Sequence, residues 1–196
     1  PQEVLQAEIE WILANGVTAH PNTALGRDVS LEELRETHDA VLLTLGCWKS
    51  SPLRCAGENL PGVWGGIDFL YKVNRREPVA VGRRVAVVGG GNTAMDAARC
   101  ARRYGAEQVF VVYRRTQAEM PAEPVEIQEA MEEGVEFLFL AAPKAVEGVD
   151  RAERLVCEKM ALGDPDASGR RSPVPTGETF VLEVDTVVAA IGQAAD

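Results

Sequence analysis

The sequence predicts an α/β fold: a parallel sheet with helices on both faces and a small antiparallel meander joined to it. Three observations carry this prediction. Apolar runs such as Val85–Val88, Val109–Val112 and Val135–Leu140 recur without polar alternation, as strands buried on both faces require. Helical stretches with recognisable start and stop residues separate those runs. From Lys144 onward, strand-like segments follow one another with only turns between them, which is the pattern of antiparallel pairing.

Taken in order, residues 3–15 form an amphipathic helix with Leu5, Ile9, Ile12 and Leu13 on one face and Gly16 as its stop. Val17–Leu25 is short and extended. Ser30 opens a second helix with Glu33 three positions on, a capping box, and that helix ends near His38. Asp39–Gly46 reads as a parallel strand buried on both faces. Residues 47–66, rich in Gly, Pro and Ser, read as a connection, and Ile67–Val73 as a short helix. A helix from Asn92 to Tyr104 follows the strand Val85–Val88, with Ala94, Met95, Ala97, Ala98 and Ala101 as a small-residue face suited to close packing on a sheet. Thr116–Glu123 is a loop, and Pro124 sits in the first turn of a helix ending at Gly134. Lys144–Val149, Arg154–Leu162 and Thr179–Val184 make the meander, with a hairpin turn at Gly148–Arg151 and a long polar loop at Gly163–Gly177. Asp185–Gly192 closes the chain in the same D-x-V-x-x-x-x-G frame as Asp39–Gly46.

Composition narrows the function. The 196 residues suffice for one full core, or one domain and part of another. A net charge of −10 disfavours nucleic acid and anionic membrane as partners. Arg83, Arg84, Arg99, Arg102, Arg103, Arg114 and Arg115 cluster nonetheless, which suits a small anionic ligand. Cys47, Cys55, Cys100 and Cys157 lack C-x-x-C spacing and nearby histidines, so no metal site is expected and inert thiols in a reduced cytoplasm are. No apolar run is long enough for a membrane span. The chain opens on Pro1 rather than Met, which suggests a piece of something longer.

The chemistry centres on Gly89-Gly90-Gly91-Asn92-Thr93-Ala94. Gly89, Gly91 and Ala94 fill the frame G-x-G-x-x-A between a strand and a helix, the context in which this frame binds a dinucleotide. Gly89 permits the tight turn, Gly91 lets backbone approach a pyrophosphate, and Ala94 keeps helix and strand close. The pyrophosphate meets the positive end of the helix dipole. The following strand ends in Tyr113-Arg114-Arg115 where a protein preferring NAD places Asp or Glu. Two guanidinium groups match a 2′-phosphate, so NADPH is the expected cofactor. The candidate cofactor-binding residues are therefore Gly89, Gly90, Gly91, Asn92, Thr93, Ala94, Arg114 and Arg115. No catalytic residue is assigned. Tyr71, Tyr104 and Tyr113 are followed four places on by Arg75, Gln108 and Gln117 rather than Lys, against a short-chain reductase, and His20 and His38 lie in the leading segment. A flavin acceptor would need few acid–base side chains.

These residues resemble a family: the NADPH-dependent glutamate synthase small (beta) subunit and its relatives, including the flavoprotein module of dihydropyrimidine dehydrogenase. The most specific matches are Gly89–Asp96, Tyr113–Thr116 with Met120-Pro121-Ala122, and Glu132–Phe137; Gly57–Val63 and Ala190–Gln193 also match. The resemblance implies a flavoprotein with two dinucleotide-binding domains, here truncated. Residues 1–65 would be part of an FAD domain and a connection, 66–184 the NADPH domain, and 185–196 the start of a return to the FAD domain. Leu45-Gly46 and Gly192 would lie at the fringe of the FAD site. NADPH would reduce FAD, and electrons would pass to an iron–sulfur partner, such as the glutamate synthase large subunit. The FAD fingerprint would precede Pro1 and the closing FAD segment would follow Asp196, so the chain alone is expected to bind NADPH, retain no FAD and be inactive. A non-catalytic NADP-binding regulatory module is the competing reading.

Overall fold

The computed structural model describes residues 2–167 and 169–195. They fall into two compact units, Pro1–Leu45 and Gly46–Asp196. In the first, helix α1 spans Gln2–Ala14, and the N–H groups of Asn15 and Gly16 return to the carbonyls of Ile12 and Leu13, ending the helix where glycine was expected to end it. Its apolar stripe stays exposed: Leu5, Ile9, Ile12 and Leu13 all face solvent. Helix α2 spans Leu31–Thr37, and its capping box forms. The Ser30 hydroxyl accepts from the Glu33 N–H at 3.1 Å, and the Ser30 N–H donates to the Glu33 carboxylate at 2.8 Å. The Ser30 N–H, and then the Ser30 hydroxyl, which also donates to that carboxylate at 2.9 Å, hold the Glu33 carboxyl below the usual range. Val17–Leu25 is irregular, with one bridge from Leu25 to Val29.

Asp39–Gly46 forms no strand, contrary to its composition. Leu42 is 87% exposed, and Leu43 and Leu45 are exposed too. An apolar run becomes a strand only when neighbours take up its backbone groups, and among the described residues no strand pairs with it. Asp185–Gly192, in the same frame, has such neighbours and becomes a strand.

The second unit runs β1 (Lys49–Ser50), β2 (Val63–Gly65), α3 (Gly66–Asn74), β3 (Arg84–Val88), α4 (Asn92–Arg103), β4 (Gln108–Tyr113), α5 (Pro124–Glu132), β5 (Glu136–Phe139), β6 (Ala141–Glu147), β7 (Arg154–Pro165), β8 (Arg171–Glu183), β9 (Thr186–Ala189) and β10 (Gln193–Ala194). Five strands form a wholly parallel sheet in the order β2-β9-β3-β4-β5. The sheet takes in Thr186–Ala189, beyond residue 184, and β2 arises within the stretch read as a connection. β6, β7 and β8 form the antiparallel meander, and β1 pairs with β10.

Side chains alternate along each parallel strand, and both sets are buried. Val85, Val87, Val109, Val111 and Val188 pack with Phe69 of α3, the alanines of α4 and Ile127 of α5. Ala86, Val88, Val112, Val187 and Ala189 pack instead against Ala141, Val146, Leu155 and Cys157 of the meander. In the second unit α3, α4 and α5 therefore gather on one face of the sheet. The other, expected to carry helices as well, is covered by the meander, because the crossover from β5 to β9 is made by strands β6 to β8. Burial among these strands pushes the Cys157 thiol up to about 12, with Cys55 adding to the effect. The loop expected at Gly163–Gly177 is hairpin instead: β7 and β8 stay paired out to Leu162 with Pro173 and Pro165 with Arg171. Its proline and glycine content reads as loop, yet an edge strand tolerates both.

Most of the clustered arginines brace the fold. Arg83 pairs with Glu107 at 2.6 Å and Arg84 with Asp185 at 3.4 Å. Arg102 donates to the carbonyls of Ala106, Glu107 and Glu133. Arg99, with its side chain 16% exposed, reaches three carboxylates of the α5 region, Glu126 and Glu129 at 2.7 Å and Glu133 at 2.8 Å. Arg103, then Arg99, hold the Glu133 carboxyl below its ordinary range, against the opposing effect of burial. A carboxylate depressed in the folded state stabilises the fold above its unfolded pKa, and that contribution disappears as pH falls through the folded value. Arg99→Met is thus expected to cost about 1–3 kcal/mol near neutral pH by leaving three carboxylates together. In urea titrations the deficit should shrink as pH is lowered below about 4.

Candidate functional site

A cleft of about 670 Å³ opens at the carboxyl ends of β2, β3, β4 and β9. Its walls are the residues that leave those strands: Gly66-Ile67 after β2, Gly89-Gly90-Gly91 after β3, Tyr113-Arg114-Arg115 after β4 and Ala190–Gln193 after β9. Connections diverge here, because β3 leads to β4 on one side while β9 and β2 lie on the other. Open α/β sheets bind ligands at such a switch point.

The three glycines answer to different constraints. Gly89 has φ of 146°, and a Cβ there would stand 2.1 Å from the Ala190 carbonyl oxygen. Its N–H donates to Val112 at 3.1 Å, while the Ala190 N–H donates to Val88 at 2.8 Å. A Cβ on Gly90 would lie 2.5 Å from the Tyr113 ring, whose hydroxyl is fixed by the Glu119 carbonyl at 2.7 Å. Gly91 differs. Its φ is an ordinary −95°, and a Cβ would meet nothing nearer than Pro121 at 3.9 Å. Packing leaves the glycine at 91 unexplained, and Gly91 itself lines the cleft. Gly91 is also the N-cap of α4 and offers no side-chain cap to the first turn.

Not every expected residue points inward. Thr93 lines the cleft and accepts from the Gln193 amide at 2.8 Å. Asn92 turns away: its side-chain oxygen accepts the Glu123 N–H at 2.9 Å, tying the Met120–Glu123 loop to α4. Ala94 is fully buried in the core between α4 and the sheet. Gly192 lies on the wall, and its carbonyl accepts from the Ser51 N–H at 3.0 Å.

Of the seven clustered arginines only Arg114 and Arg115 reach the cleft, and they differ. Arg114 is exposed and makes no ion pair among the described residues. Arg115 is 5% exposed; its Nε donates to the Arg171 carbonyl at 2.6 Å and its Nη2 to Asp166 at 2.8 Å. A third guanidinium, Arg170, also lines the wall. It comes from the tip of the β7–β8 hairpin, where sequence pattern gives no reason to look. Gln193 is another wall residue, whose only signal is its place in the Ala190–Gln193 match. Among the described residues neither Asp nor Glu lines the cleft.

The strand order and the glycine turn at its switch point define a Rossmann-class domain. The chain belongs to the pyridine nucleotide-disulphide oxidoreductase family, whose profile matches residues 2–196. It is 47% identical across its whole length to the NADPH-Fe(3+) oxidoreductase subunit beta of Geobacter sulfurreducens, covering 30% of that protein. It is 47% identical, again across its whole length, to the NADP(+)-dependent formate dehydrogenase subunit beta of Moorella thermoacetica, of which it covers 28%. The resemblance to glutamate synthase small subunits holds as well: identity to the Azospirillum brasilense glutamate synthase (NADPH) small chain is 37%, over 97% of this chain and 42% of that one. The chain thus spans about 30% of the length of the first two relatives. Among solved structures, FprA from Mycobacterium tuberculosis, also determined in complex with NADPH, shares the fold with a TM-score of 0.77 at 24% identity, over 88% of this chain and 54% of FprA. Among the described residues no helix is long and apolar enough to cross a membrane.

The glycines can be told apart by substitution. Gly89→Ala combines a strained φ with a backbone collision and should cost about 3 kcal/mol or more. Gly91→Ala should change stability by less than about 1 kcal/mol. Thermal unfolding of the two variants checks the contrast.

Proposed function

We propose that the chain is the NADPH-binding part of an FAD-dependent oxidoreductase. One observation carries the reading: in a chain of net charge −10, the described residues that line the cleft at the glycine turn include three arginines and neither Asp nor Glu. Gly91 supports it, since the space that a Cβ would fill lies where a pyrophosphate reaches the first turn of α4. The residues present therefore fit the dinucleotide. Backbone N–H groups of the glycine turn and of Thr93 would hold the pyrophosphate, and Arg114 would meet the 2′-phosphate. Leu53, Ile67 and Pro143 give the cleft an apolar wall that keeps water from a reduced nicotinamide ring. NADPH supplies a hydride when bound, and a flavin is the acceptor that needs no acid–base residue from this chain.

Residues 66–184 are assigned to the NADPH domain, residues 1–65 to an FAD-domain segment and connection, and 185–196 to the return. The relatives support an electron-transfer assembly: they are subunits of an NADPH-Fe(3+) oxidoreductase, of a formate dehydrogenase and of glutamate synthase. An iron–sulfur partner and a cytoplasmic location complete the reading, with the FAD held mainly by the remainder of a longer protein.

Equilibrium titration tests it. One or two charge-assisted hydrogen bonds of about 1.5–3 kcal/mol each give NADPH roughly tens- to several-hundredfold tighter binding than NADH. Arg114→Ala should weaken NADPH about tenfold while leaving NADH within about twofold. Equal affinities in the unaltered protein would overturn the assignment. A stoichiometric flavin absorbance from this chain alone would overturn the placement of the FAD.

A further inference from the structure

The two arginines that end β4 do different work. The Arg115 side chain is 6% exposed, and its guanidinium is engaged by the tip of the β7–β8 hairpin through Asp166 at 2.8 Å and the Arg171 carbonyl at 2.6 Å. Asp166 in turn closes that tip. Its N–H donates to the Arg170 carbonyl at 2.7 Å, its carbonyl accepts from the Gly169 N–H at 2.9 Å, and its Oδ1 accepts from the Arg170 N–H at 3.3 Å. Arg171 folds back along the hairpin, donating to the carbonyls of Leu162 and Gly163. Arg170, set between these two fixed residues, is thereby placed on the wall of the cleft that Arg114 also lines, whereas Asp166 is no part of that wall.

Charge favours a role for Arg170. A phosphate monoester carries about −1.5 to −2 at neutral pH. Arg115 and Asp166 form a pair that is neutral as a unit, so Arg115 adds little net field. Arg114 alone would leave much of the phosphate charge unmatched. We propose that the hairpin tip completes the 2′-phosphate site: Arg170 binds the phosphate together with Arg114, and Arg115 and Asp166 are positioning residues that hold the tip against the end of β4. The inference rests on the NADPH reading and goes further, locating part of the specificity in a segment more than fifty residues beyond the glycine turn.

The test is a set of titrations of the intact protein with NADPH and NADH. Arg170→Ala should weaken NADPH about tenfold and NADH by less than about twofold, with Arg170→Lys in between. Asp166→Ala is the discriminating variant. It removes a negative charge from the neighbourhood of a bound anion, so electrostatics alone predicts tighter NADPH binding. The positioning role predicts the reverse, a loss of about three- to tenfold for NADPH alone. Arg115→Ala should match Asp166→Ala, and the double variant should lose no more than either single one, because both remove the same anchor. Unchanged NADPH preference in both Arg170 variants, tighter NADPH binding in Asp166→Ala, or equal loss for both nucleotides would each overturn the inference. A failure of the NADPH reading looks different: the unaltered protein would show no preference to lose.

Discussion

The second unit depends on how closely two backbones run past each other. β3 and β9 are adjacent parallel strands, and at their carboxyl ends Gly89 passes the Ala190 carbonyl with no room for a Cβ. That contact fixes where the chain can turn from strand into α4, and so where the first turn of α4 points. β9 is the last strand of the parallel sheet in chain order, yet it lies between β2 and β3. The glycine turn is therefore complete only after almost the whole chain has been placed. A site built near residue 90 is closed by residues near 190.

The layers follow from the same sheet. Small residues on α4 let it lie close above β3 and β4, and the meander fills the opposite side with larger side chains. Covering one face with strands rather than helices has a functional consequence. β7 and β8 stay paired beyond the part of β7 that pairs with β6, forming a long hairpin, and Arg170 from its tip lines the cleft. A crossover helix in its place would offer no such hairpin.

What could be read from the sequence followed the range of the interactions involved. The capping box at Ser30, the helix stops and the strand–glycine–helix unit from Val85 are local, and each was legible. The composition of Asp39–Gly46 points to a strand that does not form, because strand formation needs a neighbour, which composition does not report. The hairpin beyond Leu162 reads as a loop for the converse reason: pairing carries prolines and glycines into a strand. At the site, the glycines and Arg114 follow from a motif. Two facts need three dimensions: that Arg115 is engaged by Asp166, and that Arg170 shares the cleft. Those residues lie about fifty positions apart and meet only through β7 and β8.

β8 is the edge of its sheet and thirteen residues long, a length at which exposed backbone invites another copy to add a strand. Pro173 and Pro175 remove two amide donors from that edge, and the register shifts between Glu158 and Met160 and between Leu162 and Pro165 interrupt its regularity. The same features that disguise the strand as a loop thus make it a poor template for self-association.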